Sequence, residues 1–244
     1  MVAKHFWRCL FDVPRAFTVA CAVTFAAVGA WAQDKKPPAP QQEAARPPAD
    51  VEYRPPARGA PRVRVGGSTR SMARALSLAV IAPDHAGLSA SDQPELYWYI
   101  SRPVETPLEF TLVAVDATDP LVETTIAPVA REGIQRLRLA DMKVRLKPGE
   151  EYQWLISFAS KPGSRAKDAI ASGRVRVQPP SQPLASYAEF ARAGYWYDAY
   201  ASLRHEMARR PGDARLAAAQ QSLLEQVGLG EVARSERARL TDAK

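Results

Sequence analysis

Histidine and carboxylate side chains are the groups in this sequence that acid–base chemistry would need. Downstream of residue 32 the histidines are His85 and His205. His85 follows Asp84 in a turn and is able to orient against Asp84 or Asp92, but an isolated turn histidine is more often structural or exposed. His205 stands among charged residues in a helical stretch, where we expect it to be solvated. Neither histidine by itself predicts a catalytic base.

Other catalytic patterns are missing from the sequence. No Gly-x-Ser-x-Gly motif presents a serine nucleophile. The histidines and cysteines do not cluster as zinc ligands do, and no carboxylate pair stands out. We therefore expect no enzymatic activity, no catalytic residue, no bound metal and no cofactor. An enzyme with a site assembled from scattered residues is a third hypothesis, which a deep pocket joining His85 to a carboxylate would revive.

A glycine-rich stretch is the first candidate binding site. Its backbone N–H groups are able to form a nest for an anion, with a guanidinium adding charge. It lacks the lysine of a P-loop and the third glycine of a dinucleotide fingerprint, and a tight turn into the folded domain is the simpler interpretation. The residues are Gly66, Gly67, Ser68, Thr69 and Arg70.

Two tyrosines on one predicted strand are the second candidate. Tyr97 and Tyr99 flank Trp98, and successive side chains of a strand point to opposite faces. If Trp98 faces the core, both tyrosines face outward, where paired aromatic rings can bind a sugar or an extended peptide. The alternative, which we favour, is that C-terminal helices cover them.

Residues 1–32 have the pattern of a secretory signal peptide. A basic start precedes an apolar run from Ala16 to Ala30, and Ala30-Trp31-Ala32 has the form of a cleavage site. The run is shorter than the ~20 residues of a bilayer span, so we expect no membrane span after cleavage; an uncleaved anchor is the alternative. Both cysteines, Cys9 and Cys21, lie in this segment. A periplasmic or secreted protein is predicted, and nucleic acid is not an expected partner, although the net charge is +7.

Residues 33–62 are rich in Pro, Ala, Gln and Arg and contain three Pro-Pro pairs. The stretch has no apolar period, which predicts a disordered linker with polyproline II character. It is either a spacer or docking peptide with a function of its own or, more simply, a solvated tail.

Residues 63–182 carry the pattern of a β-sandwich. In the stretch Leu146–Phe158, a Pro-Gly turn precedes a segment in which large apolar residues alternate with others. About seven such short strands follow one another at near-regular spacing, which is typical of an immunoglobulin-like or fibronectin-like antiparallel sandwich. We expect Trp98 and Trp154 to meet across its two sheets as structural core.

Residues 183–230 change to a helical period and predict a small three-helix subdomain, followed by a charged tail at 231–244. Trp196 begins the buried stripe of the second helix and is the third predicted core tryptophan. The helices resemble one tetratricopeptide repeat. The resemblance rests on the spacing of Gly194, Ala199 and Pro211, with Trp196 at the aromatic position, although Glu206 replaces a small residue. We expect this helical unit to bury its apolar face against the sandwich or against another chain.

Residues 63 to about 235 resemble a bacterial family catalogued as domain of unknown function 928. The resemblance rests on Gly66–Arg70, on Pro94–Tyr99, on Ala191–Ala199 and on the Leu146–Trp154 segment. Members of that family look like exported proteins without an assigned activity. The resemblance therefore implies an architecture and an exported location, and it implies no catalytic residue.

Two functional hypotheses follow from these patterns. The first is an exported, non-enzymatic module that makes protein–protein contacts in the periplasm with an unidentified partner. The second is a module that binds carbohydrate or an anionic envelope component through the outward tyrosines and the basic glycine-rich turn.

Overall fold

The computed structural model describes residues 51–56, 76–159 and 169–242. Eight strands and four helices lie in these ranges, and the mainly β body with C-terminal helices is confirmed. The strands are β1 (Leu78–Val80), β2 (Ala86–Ser89), β3 (Glu95–Ile100), β4 (Leu108–Ala114), β5 (Val122–Ile126), β6 (Gly133–Arg138), β7 (Glu151–Phe158) and β8 (Ala169–Val177). The helices are α1 (Tyr187–Arg192), α2 (Trp196–Arg209), α3 (Ala214–Gln226) and α4 (Gly230–Asp242).

The strands form two sheets. One has three antiparallel strands in the order β1-β3-β6, and the other has five in the order β2-β8-β7-β4-β5. Strand β2 is parallel to β8, and the other pairs are antiparallel. We predicted about seven strands, and β2 is the strand that we missed.

The predicted alternation of β7 is confirmed. Tyr152, Trp154, Ile156 and Phe158 are buried, and the residues between them are partly exposed. Gly149, in the turn before the strand, has a φ of +83°, which favours glycine. The residues that follow β1 lie close to β8, since a Cβ on Gly173 would lie 2.9 Å from Ala82 Cβ.

Strand β3 is buried on both faces, because one faces the other sheet and the other faces the helices. Trp98 is buried and lines a cavity of 510 Å³ together with Ile126 and Val129. On the opposite face the Tyr97 ring makes an edge contact with Tyr200 of α2, with ring centroids 5.2 Å apart. The strands and helices therefore share one hydrophobic cluster.

Side chains cap the starts of two helices. Ser186 and Glu189 form the capping box of α1, and the Asp213 carboxylate accepts hydrogen bonds from the first turn of α3. The tail that we predicted over 231–244 is instead largely helix α4, so the described residues contain four helices rather than three. Among them, no helix is both long and apolar enough to cross a membrane.

The first turn of α2 fixes the helices to the strands. The Trp196 indole N–H donates to the Ile81 carbonyl over 2.9 Å, and the Tyr197 hydroxyl donates to the Arg174 carbonyl, also over 2.9 Å. The Asp198 carboxylate accepts from the Ala90 N–H over 2.8 Å. Three successive residues of α2 therefore each form a hydrogen bond to the strand-containing part of the protein. These bonds fix where the helix lies on the strands.

Candidate functional site

Residues 51–56, Val-Glu-Tyr-Arg-Pro-Pro, form a segment that lies against the folded body, and we call it the docked segment. The side chains of Val51 and Tyr53 are buried, with 5% and 7% exposure, whereas Glu52, Arg54 and Pro55 are exposed. We predicted these residues to be part of a disordered linker. The alternating burial instead shows a peptide that presents every second side chain to a groove.

Main-chain hydrogen bonds hold the docked segment. The Gln226 side chain at the end of α3 accepts from the Tyr53 N–H over 2.7 Å and donates to the Val51 carbonyl. On the other side, the Arg54 N–H donates to the Ala191 carbonyl of α1 over 3.1 Å. A side-chain amide and a helix-end carbonyl thus pair with the peptide backbone as a neighbouring strand would.

An aromatic pocket receives the Tyr53 side chain. The Trp196 ring contacts the Tyr53 ring edge-on, with ring centroids 5.1 Å apart. The His85 ring stacks on the Tyr53 ring, with centroids 5.9 Å apart and an interplanar angle of 9°. The Tyr53 hydroxyl lies 2.9 Å from His85 Nε2, and His85 Nδ1 lies 3.1 Å from the Asp84 carboxylate. Burial, and then the Asp84 charge, raises the pKa of Tyr53. The phenol therefore stays protonated. With His85 in the neutral tautomer whose Nδ1–H donates to Asp84, Nε2 is the acceptor for the phenol O–H.

Gly194 forms a wall of the same groove. Its φ is +86°, and a Cβ there would lie 3.0 Å from the Arg54 carbonyl oxygen and 3.4 Å from Pro56. A side chain at this position would be both strained and in the path of the peptide. We call the groove lined by His85, Ala191, Gly194, Trp196 and Gln226 the peptide groove.

Asp84, His85 and the Tyr53 hydroxyl form a chain of polar contacts at the groove. Asp–His–hydroxyl is also the order of a nucleophile triad, in which the histidine acts as general base; here burial raises the pKa of the Tyr53 hydroxyl. Both nitrogens of His85 already have partners. Among the described residues, no group of three His, Cys, Asp or Glu side chains is placed to hold a metal ion.

A charged cavity of 1140 Å³ adjoins the end of the docked segment, because Pro56 and His85 both contribute to its lining. Its basic groups are paired within the chain: the Glu151 carboxylate lies 3.0 Å from Arg174 and 2.7 Å from Arg176. His85 therefore has a carboxylate within reach beside a large cavity, the condition that we set for reconsidering an enzyme. While the docked segment is in place, Asp84 and Tyr53 occupy both ring nitrogens of His85.

The family described as Domain of Unknown Function (DUF928) matches residues 58–237 of the sequence. The chain belongs to this family. A search of curated proteins found no match. All five residues that line the peptide groove lie inside the region matched by the DUF928 family, whereas the docked segment precedes it.

The predicted tyrosine site is not a surface in this DUF928 protein. Tyr97 and Tyr99 are 3% and 8% exposed, because the helices lie on the face of β3 from which they project. The Tyr97 hydroxyl donates to Glu95 over 2.6 Å, and burial raises its pKa. This is the alternative that we favoured: the two rings project from the sheet, and the helices cover them, so they offer no surface to a sugar.

The other predicted site residues are placed as follows. Trp98, Trp154 and Trp196 are buried, and each lies on a different element. His205, expected to be solvated, is half exposed and lies 3.0 Å from the Glu95 carboxylate. The glycine-rich stretch lies outside the described residues: Gly66, Gly67, Ser68, Thr69 and Arg70.

The groove could not be predicted from the sequence because its partners are far apart along the chain. Tyr53 and Gln226 are separated by 173 residues, and an isolated glutamine near a helix end carries no pattern. A signal was nevertheless present in the docked segment. Val51 and Tyr53 are a spaced apolar pair directly before Pro55-Pro56, in a stretch that otherwise has little to bury.

Proposed function

We propose that this protein is an exported, non-enzymatic interaction module that contacts another protein in the periplasm of a bacterium. The observation that carries the proposal is the peptide groove, which accepts a polypeptide through backbone hydrogen bonds and one aromatic pocket. Such a groove is a means of recognising protein chains. The export pattern of residues 1–32 supports the location.

The proposal includes an architecture for this role. The two sheets are an immunoglobulin-like sandwich, and α1 and α2 with their Gly194 turn are a tetratricopeptide-like unit. This is supported by the paired sheets, by the buried tryptophans and by the spacing of Gly194, Ala199 and Pro211. Tetratricopeptide units bury their faces by stacking, and here the helical face is buried on strand β3.

The alternative of carbohydrate or anionic envelope binding has no comparable support. It depended on Tyr97 and Tyr99, whose rings are buried, and on a glycine-rich turn outside the described residues. We therefore propose protein–protein contact as the function of the groove.

Site-specific photo-crosslinking in cells tests the proposed function. A photoreactive residue is placed at Arg192, which is exposed directly after Ala191 at the edge of the groove. The matched control is Leu121, which is 51% exposed in the turn before β5. We expect protein adducts in the periplasmic fraction from position 192 that position 121 does not give. Absence of the chain from that fraction, or identical adducts from both positions, would contradict the proposal.

A further inference from the structure

The docked segment contacts the peptide groove in two ways, through its main chain and through its buried side chains. Gln226 and Ala191 bind only main-chain groups of the docked segment, and these contacts are open to any extended sequence. The side chains of Glu52 and Arg54 point away and pair with each other at the surface. Sequence preference therefore has to come from the two buried positions and from the prolines that follow.

The pocket of Tyr53 favours tyrosine over other aromatic residues. His85 Nε2 faces the phenol oxygen at 2.9 Å, and Asp84 holds the ring through Nδ1. A phenylalanine would fill the same space but leave the partly buried Nε2 of His85 without its donor, and sites built around a hydroxyl discriminate against its loss. The position two residues earlier is aliphatic in the docked segment and is buried in the common hydrophobic cluster.

The prolines favour a ligand that is already extended. A proline fixes its own φ and keeps the preceding residue out of the helical region. A peptide with proline two positions after the tyrosine therefore loses less conformational entropy when it binds. Arg54, between the tyrosine and Pro55, supplies only its main-chain N–H to the groove.

The docked segment and the residues that line the groove come from different regions of the sequence. The groove residues lie within the family match over residues 58–237, and the occupant lies before it. A tethered occupant competes with an external peptide, because the apparent dissociation constant rises as the fraction of open groove falls.

We propose that the peptide groove binds extended peptides of the pattern aliphatic-x-Tyr-x-Pro from a partner protein, and that the docked segment is an intramolecular occupant which such peptides displace. This inference rests on the proposed function, since it names the ligand class of the same groove. It also implies that the free chain is held in a partly blocked state.

Fluorescence anisotropy with a labelled synthetic peptide, Val-Glu-Tyr-Arg-Pro-Pro, tests the inference on the purified full chain. Tyr53→Ala removes the anchor of the occupant, and we expect it to bind the peptide about tenfold more tightly than wild type. Glu52→Ala is the matched control on the exposed face and should bind as wild type does. Adding Gln226→Ala to Tyr53→Ala should weaken peptide binding by roughly tenfold or more.

The peptide sequence gives an independent readout. Replacing its tyrosine by phenylalanine should weaken binding to Tyr53→Ala by about tenfold, because His85 loses its donor. Near-ultraviolet circular dichroism checks that each variant is folded; should Tyr53→Ala unfold, Tyr53→Phe replaces it as a milder opening of the groove, with a smaller gain expected.

Three results would overturn the inference. The first is a folded, opened variant that binds the peptide no better than wild type. The second is equal affinity for a peptide with alanine in place of tyrosine. The third is concentration-dependent dimerisation of wild type that Tyr53→Ala abolishes, which would assign the groove to a second copy. None of these decides the proposed function, which fails only in the cellular crosslinking experiment.

Discussion

Two tyrosines on helix α2 should respond in opposite ways to the same substitution. Tyr197 and Tyr200 are both buried, with 2% and 1% exposure. The Tyr197 hydroxyl accepts from the Trp154 indole N–H and donates to the Arg174 carbonyl, each over 2.9 Å. The Tyr200 hydroxyl has no hydrogen-bond partner within the part of the chain that the structure describes. Changing each to phenylalanine keeps the ring and removes only the oxygen.

The change in the free energy of unfolding depends on which buried hydrogen-bonding groups each substitution leaves without a partner. Tyr197→Phe leaves a buried indole N–H without an acceptor, and a buried unsatisfied group costs about 1–3 kcal/mol. The Arg174 carbonyl also loses a donor, so we expect the free energy of unfolding to fall by roughly 2–3 kcal/mol. Tyr200→Phe instead removes a hydroxyl that is desolvated without compensation. We expect it to be neutral or to stabilise the protein by up to about 1 kcal/mol.

Urea unfolding followed by tryptophan fluorescence and far-ultraviolet circular dichroism measures both effects. The transition midpoint should fall for Tyr197→Phe and stay or rise for Tyr200→Phe, with similar slopes. The two variants are controls for each other, because ring burial and helix context are matched. Equal destabilisation by both would refute the reasoning, since it would mean that the Tyr200 hydroxyl makes a stabilising hydrogen bond.

Three other perturbations test the same packing. Burial raises the pKa of Asp198 in the folded state to about 6, although a hydrogen bond from the Ala90 N–H acts to lower it. Ionisation therefore costs stability as the pH rises from about 4 to about 7, by roughly 3 kcal/mol. Wild type should lose stability relative to Asp198→Asn over that range in pH-dependent urea titrations, and parallel curves would contradict this. Gly87→Ala should lower the free energy of unfolding by about 1–3 kcal/mol, because its Cβ would lie 2.9 Å from the Tyr197 ring. Gly230→Ala is the control and should not destabilise the protein, because the nearest atom to its Cβ would be 3.7 Å away. Equal melting temperatures for the two variants would count against the close contact at Gly87. Trp154→Ala should cost roughly 3–5 kcal/mol in urea unfolding, and a loss below about 1 kcal/mol would mean that this ring is not part of the core.

The elements that could be predicted are those whose signal is local. Strand β7 carries its own alternation and its own turn, so its bounds follow from about a dozen residues. The start of α1 is set by Ser186 and Glu189, three residues apart. Strand β2 has no such pattern: Ala86–Ser89 is a strand because it pairs in parallel with β8, more than eighty residues later.

Helix α4 was missed because its buried face is small and partly charged. Over residues 230–239, whose side chains the structure describes, Val232 and Ala233 are buried apolar residues, and Glu236 is buried with 2% exposure. That carboxylate is stabilised by Arg239 one turn later, with the closer contact at 2.8 Å. A charged residue in a short, polar sequence predicts solvent exposure, and only the ion pair formed in the folded state explains its burial.

The helices and the strands depend on each other for their buried polar groups, which decides how the groove can open. Trp154 in β7 needs Tyr197 in α2 as its hydrogen-bond acceptor, and Trp196 in α2 needs the Ile81 carbonyl beyond β1. Moving α2 away would therefore leave donors unpaired in both parts at once, at several kcal/mol. The docked segment is also held by hydrogen bonds, but its replacement by another extended peptide can restore the same backbone hydrogen bonds to Gln226 and Ala191. Opening of the groove by release of this segment, with the surrounding framework unchanged, is thus the lower-energy route to a free binding site.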